Sequence, residues 1–421
     1  MKKHTFLLCT SVAALSLVLS ACGPDRDEAT TSKETNKGDA TKPDSLTIWV
    51  DDEESQLKAY KEITERFTDE TGIDIKITPF EMLEQVDALS LDAPAGNGPD
   101  LFFLPNDRTG DVSLQGLAKE LTLTDEQQKA LEDYHEGAVT ALNYEGTQLG
   151  IPVASETYAL YYNKAMIADA PKTLEDLNTV IEKHTDTAAD TYGFLMEATN
   201  FYYLYPLLAA DGGYVFNQDD TGLYDTDDIG LNNEGAVKGA TIVYDWFNDG
   251  AIPRSINEDV MKGLFNDGKV SSIISGPWNL GEFSDALGDD LGVAPLPTID
   301  GNPLSSFSSV KGWFVSEYSE HADWATELAF FLTNEENANH FFDVTKQSPA
   351  RPDVDVNDAH QASFAEQAAH AVPMPNIPEM SRVWEPMENA FKFIAEGTEP
   401  KEALDDAVGQ IKKEIELSRG Q

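Results

Sequence analysis

The feature that most restricts the fold of this 421-residue chain is a change of hydrophobic period between Ser45 and Ile77. Ser45-Leu-Thr-Ile-Trp-Val50 alternates Leu46, Ile48 and Val50, the two-residue period of a strand. Leu57, Tyr60, Ile63 and Phe67 then recur at near-helical spacing, and Gly72 stops the run. Ile73, Ile75 and Ile77 alternate once more. Further on, Gly98-Pro-Asp-Leu-Phe-Phe-Leu-Pro105 reads as a turn and a buried strand. Strand, helix and strand in such units predict an α/β protein with a parallel sheet. The chain is too long for one ordinary core, so two domains or lobes are expected.

Other elements are legible downstream. Ala236, Ala240, Val243 and Phe247 form a helical stripe ended by Gly250. Leu404, Val408, Ile411 and Ile415 form another near the C-terminus. Val270-Ser-Ser-Ile-Ile-Ser275 reads as a strand ending in Gly276-Pro277. Trp49, Trp313 and Trp324 sit among apolar neighbours and are assigned to cores, while Trp246 fits core or surface.

The first residues form an export signal. Lys2 and Lys3 precede a short apolar run, Thr5 to Ser20, that is short for a spanning helix. Its end, Leu19-Ser20-Ala21-Cys22, resembles the bacterial lipobox. That resemblance implies removal of residues 1–21 and acylation of the Cys22 sulfur. The only other cysteine, Cys9, leaves with the signal, so no disulfide is expected. Acyl chains hold a protein to a bilayer through each buried methylene. Residues 22–44 carry almost no apolar side chains and are expected to be a disordered tether. The body is then expected on the extracellular face of the cell membrane, lipid-anchored.

Lys and Arg number 29 against 75 Asp and Glu, a net charge of −46. Nucleic acid and anionic lipid head groups are therefore poor partners for the body. The seven histidines show no metal-ligand spacing, and no nucleophile elbow or phosphate loop appears. Asp353-Val-Asp355-Val-Asn357 opens like a calcium loop but lacks the glycine and glutamate that should follow, and is read as a solvated acidic loop. No metal, cofactor or catalytic residue is expected. A secreted glycoside hydrolase would need a closely placed acid and nucleophile, and no carboxylate pair stands out.

What does stand out is a set of rings and charges on loops beyond strand ends, where open α/β sheets bind ligands. Phe102 to Arg108 runs from a strand into a loop offering the Asp107 carboxylate and the Arg108 guanidinium. Such a pair suits adjacent hydroxyls, and a surface salt bridge is the plainer alternative. Ser275-Gly-Pro-Trp278 puts an indole on a loop. Phe201-Tyr-Tyr-Leu-Tyr205 is dense in rings at neither clean period. Pro373, Pro375 and Pro378 forbid regular helix or central strand just before Trp384. Rings cover the C–H faces of sugars while charged groups hold their hydroxyls.

From about Ser45 onward the chain resembles the maltose/maltodextrin-binding proteins of bacterial ABC importers. The resemblance rests on LTIWV, FTDETGI, GNGPDLFFLPNDRTG, LGIPVASETYALYYNK, YPLLAADGGYVF, SGPWNL, GVAPLP and MPNIPEMSRVW. It implies a two-lobe periplasmic-binding-protein fold of type II with a hinge of crossing segments. Residues 45–153 plus 311–355 would form the N-terminal lobe, and 154–310 plus 356–421 the C-terminal lobe. The crossings fall near Val153–Ser155, near Val310 and near Asp353–Asn357. Carried over by position, Asp107, Arg108 and Glu156 bind ligand hydroxyls, and Tyr202, Trp278 and Trp384 are aromatic platforms. The implied function is a monomeric receptor that hands maltose or maltodextrins to ABC permease subunits, with another oligosaccharide such as cyclodextrin as the alternative. Where relatives often carry an Asp-Lys pair after the first strand, this chain has Glu53-Glu54. Glu53 keeps an acceptor for hydroxyls, and Glu54 supplies no donor. Leu104 replaces an aromatic of a first-lobe loop, and Asn200 and Glu388 stand where Glu and Arg are common. Glucans longer than maltose are therefore the expected ligands.

Overall fold

The computed structural model describes residues 41–219, 222–356 and 358–419. The signal, Cys22 and most of the expected tether lie outside these residues. Its main strands are β1 (Ser45–Val50), β2 (Asp74–Pro79), β3 (Leu101–Pro105), β4 (Gly150–Glu156), β5 (Ala159–Asn163), β6 (Ser272–Ser275), β7 (Leu291–Ala294), β8 (Phe307–Val315) and β9 (Val372–Pro373). The helices that matter for the site are α1 (Glu54–Thr71), α2 (Phe201–Ala209), α3 (Gln361–Ala368), α4 (Trp384–Glu396) and α5 (Pro400–Arg419).

The expected β1-α1-β2 unit forms as read, with β1 parallel to β2 and to β3. Beyond these strands the sheet is mixed, with the short β9 parallel to β8. β8 joins the same sheet antiparallel to both β3 and β4. A second sheet, β6-β5-β7, is antiparallel throughout. The reading failed here because period reports that a strand exists and says nothing about its partner's direction.

The apolar residues separate into two lobes. Around the first sheet, Phe103 and Trp313 enter the core on one face, with Tyr60 and Phe67 of α1. Phe102, Leu104 and Phe314 enter a core on the other face with Trp49. This is the alternation of a sheet covered on both sides. The second lobe has one core, running from Tyr158 through α2 to Ile411 and Ile415 of α5. α2 escaped a periodicity reading because Phe201, Tyr203, Leu204, Tyr205, Leu207 and Leu208 are all buried, leaving no polar face. Asn200 starts it, its side-chain oxygen accepting from Tyr202 N at 3.0 Å.

The pair β4–β8 runs through both lobes. Phe307, at one end of β8, belongs to the second core, and Trp313, near the other end, to the first. Between them Ser309 pairs with Glu156, Val310 with Ser155 and Lys311 with Ala154, and the register shifts between Lys311 and Gly312. The chain returns alongside at Ser348–Ala350: Ser155 N donates to Ser348 O and Ala350 N to Val153 O, each at 2.9 Å. Among the described residues no helix is long and apolar enough to cross a membrane.

Candidate functional site

The candidate residues gather around this shared ladder. Asp107 and Arg108 sit in a short 3-10 turn just past β3, and Asp107 is 2% exposed. Glu156 ends β4, 4% exposed. Tyr202 lies in the first turn of α2, half-buried, its ring stacked over Phe307 at 6.2 Å. Trp278 lies in the turn after β6 and Trp384 begins α4; both are half-buried against the second core.

Trp384 meets Asp107 directly. Its indole Nε1 donates to Asp107 Oδ2 at 3.0 Å, joining an aromatic of the second lobe to a carboxylate of the first. Phe201 and Phe307 hold the indole edge-on, at 5.7 and 6.1 Å. The proline-rich stretch before it is strapped to the first lobe. Asn106 Nδ2 donates to Met374 O at 2.9 Å, and Asn376 Nδ2 donates to Ala141 O and Asn143 O at 3.1 and 2.8 Å. Gly110 N donates to Asn376 O at 3.0 Å. A Cβ on Gly110 would come within 2.6 Å of Pro378 Cδ, so this approach needs glycine. The prolines thus keep rigid a segment that docks by the backbone oxygens of Met374 and Asn376 and by the Asn376 amide.

Trp278 is held from two sides. Its Nε1 donates to Glu258 Oε1 at 3.3 Å, and Asn279 Nδ2 donates to the same oxygen at 2.6 Å. The six-membered part of the indole folds over Gly276, where any Cβ would lie 2.0 Å from it. The Lys311 ammonium lies 5.1 Å from the indole centroid.

Lys311 is the residue that sequence reading missed. It is 6% exposed, and its Nζ lies 3.0 Å from Glu156 Oε2. Burial works against the ammonium, but the fields of Glu156, Asp51 and Glu53 outweigh it and raise its pKa. Those carboxyls, sharing one cation, are themselves pushed above the ordinary range by burial. The available signal was a lone charge inside Ser308-Ser-Val-Lys-Gly-Trp-Phe-Val315, an otherwise apolar strand.

Asp107 is likewise raised by burial, against the opposing pull of Arg108 and the Trp384 N–H. Arg108 Nε lies 3.5 Å from Asp107 Oδ2, a half-buried guanidinium beside a buried carboxylate, so the pair is not an exposed surface bridge. Asp107 Oδ1, Arg108 Nε and Glu156 Oε1 are buried and meet no hydrogen-bond partner in the described structure. Each such group destabilises by about 1–3 kcal/mol unless something else meets it.

The departures fall out unevenly. Glu53 caps α1, accepting from Ser55 N at 3.2 Å and from Gln347 Nε2 at 3.2 Å. Glu54 is exposed on α1. Leu104 is inside β3 and fully buried, so it is a core residue of the strand and not a loop residue. Asn200 is the α2 cap, and Glu388 lies 3.7 Å from Lys392. In the acidic loop, Asp353 takes Arg351 in a two-pronged bond at 2.9 and 2.6 Å, so it is paired and not merely solvated. Trp246 proves to be core, 6% exposed, its Nε1 donating to Asn178 Oδ1 at 3.0 Å. Among the described residues no His, Cys, Asp and Glu cluster has the geometry to hold a metal.

Two lobes thus share one ladder, with rings and buried charges placed around it. Residues 62–370 match the family model of bacterial extracellular solute-binding proteins. The chain is a member of that family. Full-length relatives agree. The galactooligosaccharide-binding protein of Bacillus subtilis (strain 168) is 36% identical over 98% of this chain and 97% of its own length. Maltodextrin-binding protein MdxE of the same organism is 33% identical over 99% and 98%. A maltooligosaccharide ABC transporter solute-binding lipoprotein of Streptococcus pneumoniae (strain ATCC BAA-255 / R6) is 32% identical over 100% and 99%. Among solved structures, the extracellular solute-binding protein from Staphylococcus aureus in complex with maltose is 42% identical, with a TM-score of 0.71 over 89% of this chain and 99% of that one. A cyclo/maltodextrin-binding protein complexed with maltotetraose is 39% identical, with a TM-score of 0.74 over 89% and 98%. The two-lobe fold of this solute-binding protein is thereby established.

Proposed function

We propose that this solute-binding protein captures maltodextrins between its lobes and delivers them to an ABC permease, from a lipid anchor on Cys22. The observation that carries the reading is one constellation. Trp384 donates to Asp107, Trp278 lies against the Lys311 that pairs with Glu156, and Asp107 Oδ1, Arg108 Nε and Glu156 Oε1 are buried without a hydrogen-bond partner, which supports placing these residues and Tyr202 at the ligand. Flat rings suit the C–H faces of glucose units, and those atoms suit its hydroxyls. The names of the relatives support the sugar class, the transporter and the lipoprotein state. Glu53, half-buried beside Gln347, is included as a ligand acceptor. The lobes are taken as residues 45–153 plus 311–355 and 154–310 plus 356–421, with the protein acting as a monomeric, non-enzymatic receptor.

A second reading is favoured by one specific finding, the 36% identity to a galactooligosaccharide-binding protein. Calorimetric titration separates the two. Maltose, maltotriose, maltotetraose, a cyclodextrin and a β-galactooligosaccharide are compared, with maltotetraose or the cyclodextrin expected tightest. Galactooligosaccharide as the tightest ligand establishes the second reading instead. Shortened products after incubation with maltoheptaose would remove the non-enzymatic assignment.

A further inference from the structure

The ammonium of Lys311 has no place in the function argued so far. It is carried on β8, where the register shifts, between the two lobes. Its immediate surroundings come from three other parts of the chain. Glu156 lies at the end of β4, Asp51 and Glu53 lie in the loop after β1, and Trp278 lies in the turn after β6. A lysine this buried is rare unless it is paired. Here one pairing group and one contacting ring are both candidate ligand contacts, and they stand in different parts of the cleft.

We propose that Lys311 is a positioning residue of the sugar cleft: its ammonium fixes the Glu156 carboxylate and braces the Trp278 indole, and so sets ligand affinity and its pH range. The inference rests on the sugar-receptor reading given above. Two physical arguments lead to it. A carboxylate buried to 4% exposure keeps a single orientation only when a partner fixes it, and the partner within reach is the Lys311 Nζ at 3.0 Å. An ammonium 5.1 Å from an indole centroid is held by the ring's negative face, so ring and cation restrain one another. One cation thereby couples a hydroxyl acceptor at the ladder to a platform of the second lobe.

The pH consequence follows from what faces Glu156. Besides Lys311 these are the Asp51 carboxylate and the phenols of Tyr60, Tyr161 and Tyr202. Lys311 is the sole positive group among them. Without it nothing offsets burial and the field of Asp51, and Glu156 takes up a proton at higher pH.

The test uses the mature protein and maltotetraose, titrated by calorimetry between about pH 5 and about pH 8, on the high side of the ordinary carboxyl range. Lys311→Met keeps the apolar stem and removes the charge. It is expected to weaken binding by about ten- to hundredfold, the range of a lost charge-assisted bond, with the loss growing toward low pH. Lys311→Arg is expected to recover most of the affinity and the wild-type pH profile. The double variant Lys311→Met/Glu156→Gln removes both charges of the Lys311–Glu156 pair, so Glu156 is not left as an unpaired buried charge if the single variant melts early. In the Glu156→Gln background, removing Lys311 is expected to change affinity far less than in wild type. Wild-type affinity and pH profile in Lys311→Met, or an equal Lys311→Met loss in both backgrounds, overturns the proposal while the sugar reading stands. A wild-type protein that binds no sugar of the panel overturns the sugar reading itself.

Discussion

Replacing Trp384 separates the two things this residue does. Its Nε1 donates to Asp107 Oδ2 at 3.0 Å across the lobes, and its ring is held edge-on by Phe201 and Phe307. Trp384→Phe keeps a ring and loses the N–H. Asp107 is 2% exposed and its other carboxylate oxygen already lacks a partner, so the substitution strips a buried carboxylate of its side-chain donor. A hydrogen bond to a charged group contributes about 1.5–3 kcal/mol. Because the bond joins two candidate ligand contacts, its loss is expected in ligand affinity, about ten- to hundredfold. Trp384→Ala also removes the platform, and stacking on an aromatic ring contributes roughly a further 1–3 kcal/mol by analogy with bases. Maltotetraose is titrated calorimetrically into both variants, with ligand-free melting curves as the folding control. Wild-type affinity in Trp384→Phe would refute the inter-lobe bond. Equal affinities for the Phe and Ala variants would refute the platform.

Three further outcomes are expected. Gly110→Ala places a Cβ 2.6 Å from Pro378 Cδ and 2.8 Å from Asn376 O, and overpacking of this kind destabilises by about 1–3 kcal/mol, read as a lowered Tm; an unchanged Tm would show that the strap is loose. Burial and the neighbouring Glu258 push the Glu197 carboxyl from 4.5 to about 7 in the folded protein. The native state then holds its proton more tightly than the unfolded chain, so this stabilisation is full below pH 4.5 and is lost as pH rises through about 7. Glu197→Gln is expected to flatten that part of the Tm-against-pH curve, and a pH-independent difference from wild type would assign the proton elsewhere. Cys22→Ala is expected to move the protein from the membrane fraction to the medium, and continued membrane retention would rule out the lipid anchor.

Much of the fold was legible because its signals are local. The β1-α1-β2 unit and the stripe of α5 lie in runs whose side chains alternate or recur by the geometry of one element. Trp278 and Trp384 were legible as candidates because Gly-Pro and repeated prolines mark irregular chain. α2 was not legible, since a helix buried all round has no stripe. The antiparallel β8 was not legible either, since its partners lie far away in the chain.

The sequence by itself determined many of the elements, that two lobes were needed, and which loops carry rings and charges. It did so because periodicity and turn chemistry act over a few residues. Only the tertiary structure decided that Trp384 meets Asp107, 277 residues apart, and that Lys311 stands between Glu156 and Trp278. Such meetings depend on where two lobes place their strand ends, and burial and charge interactions act through space whatever the distance along the chain.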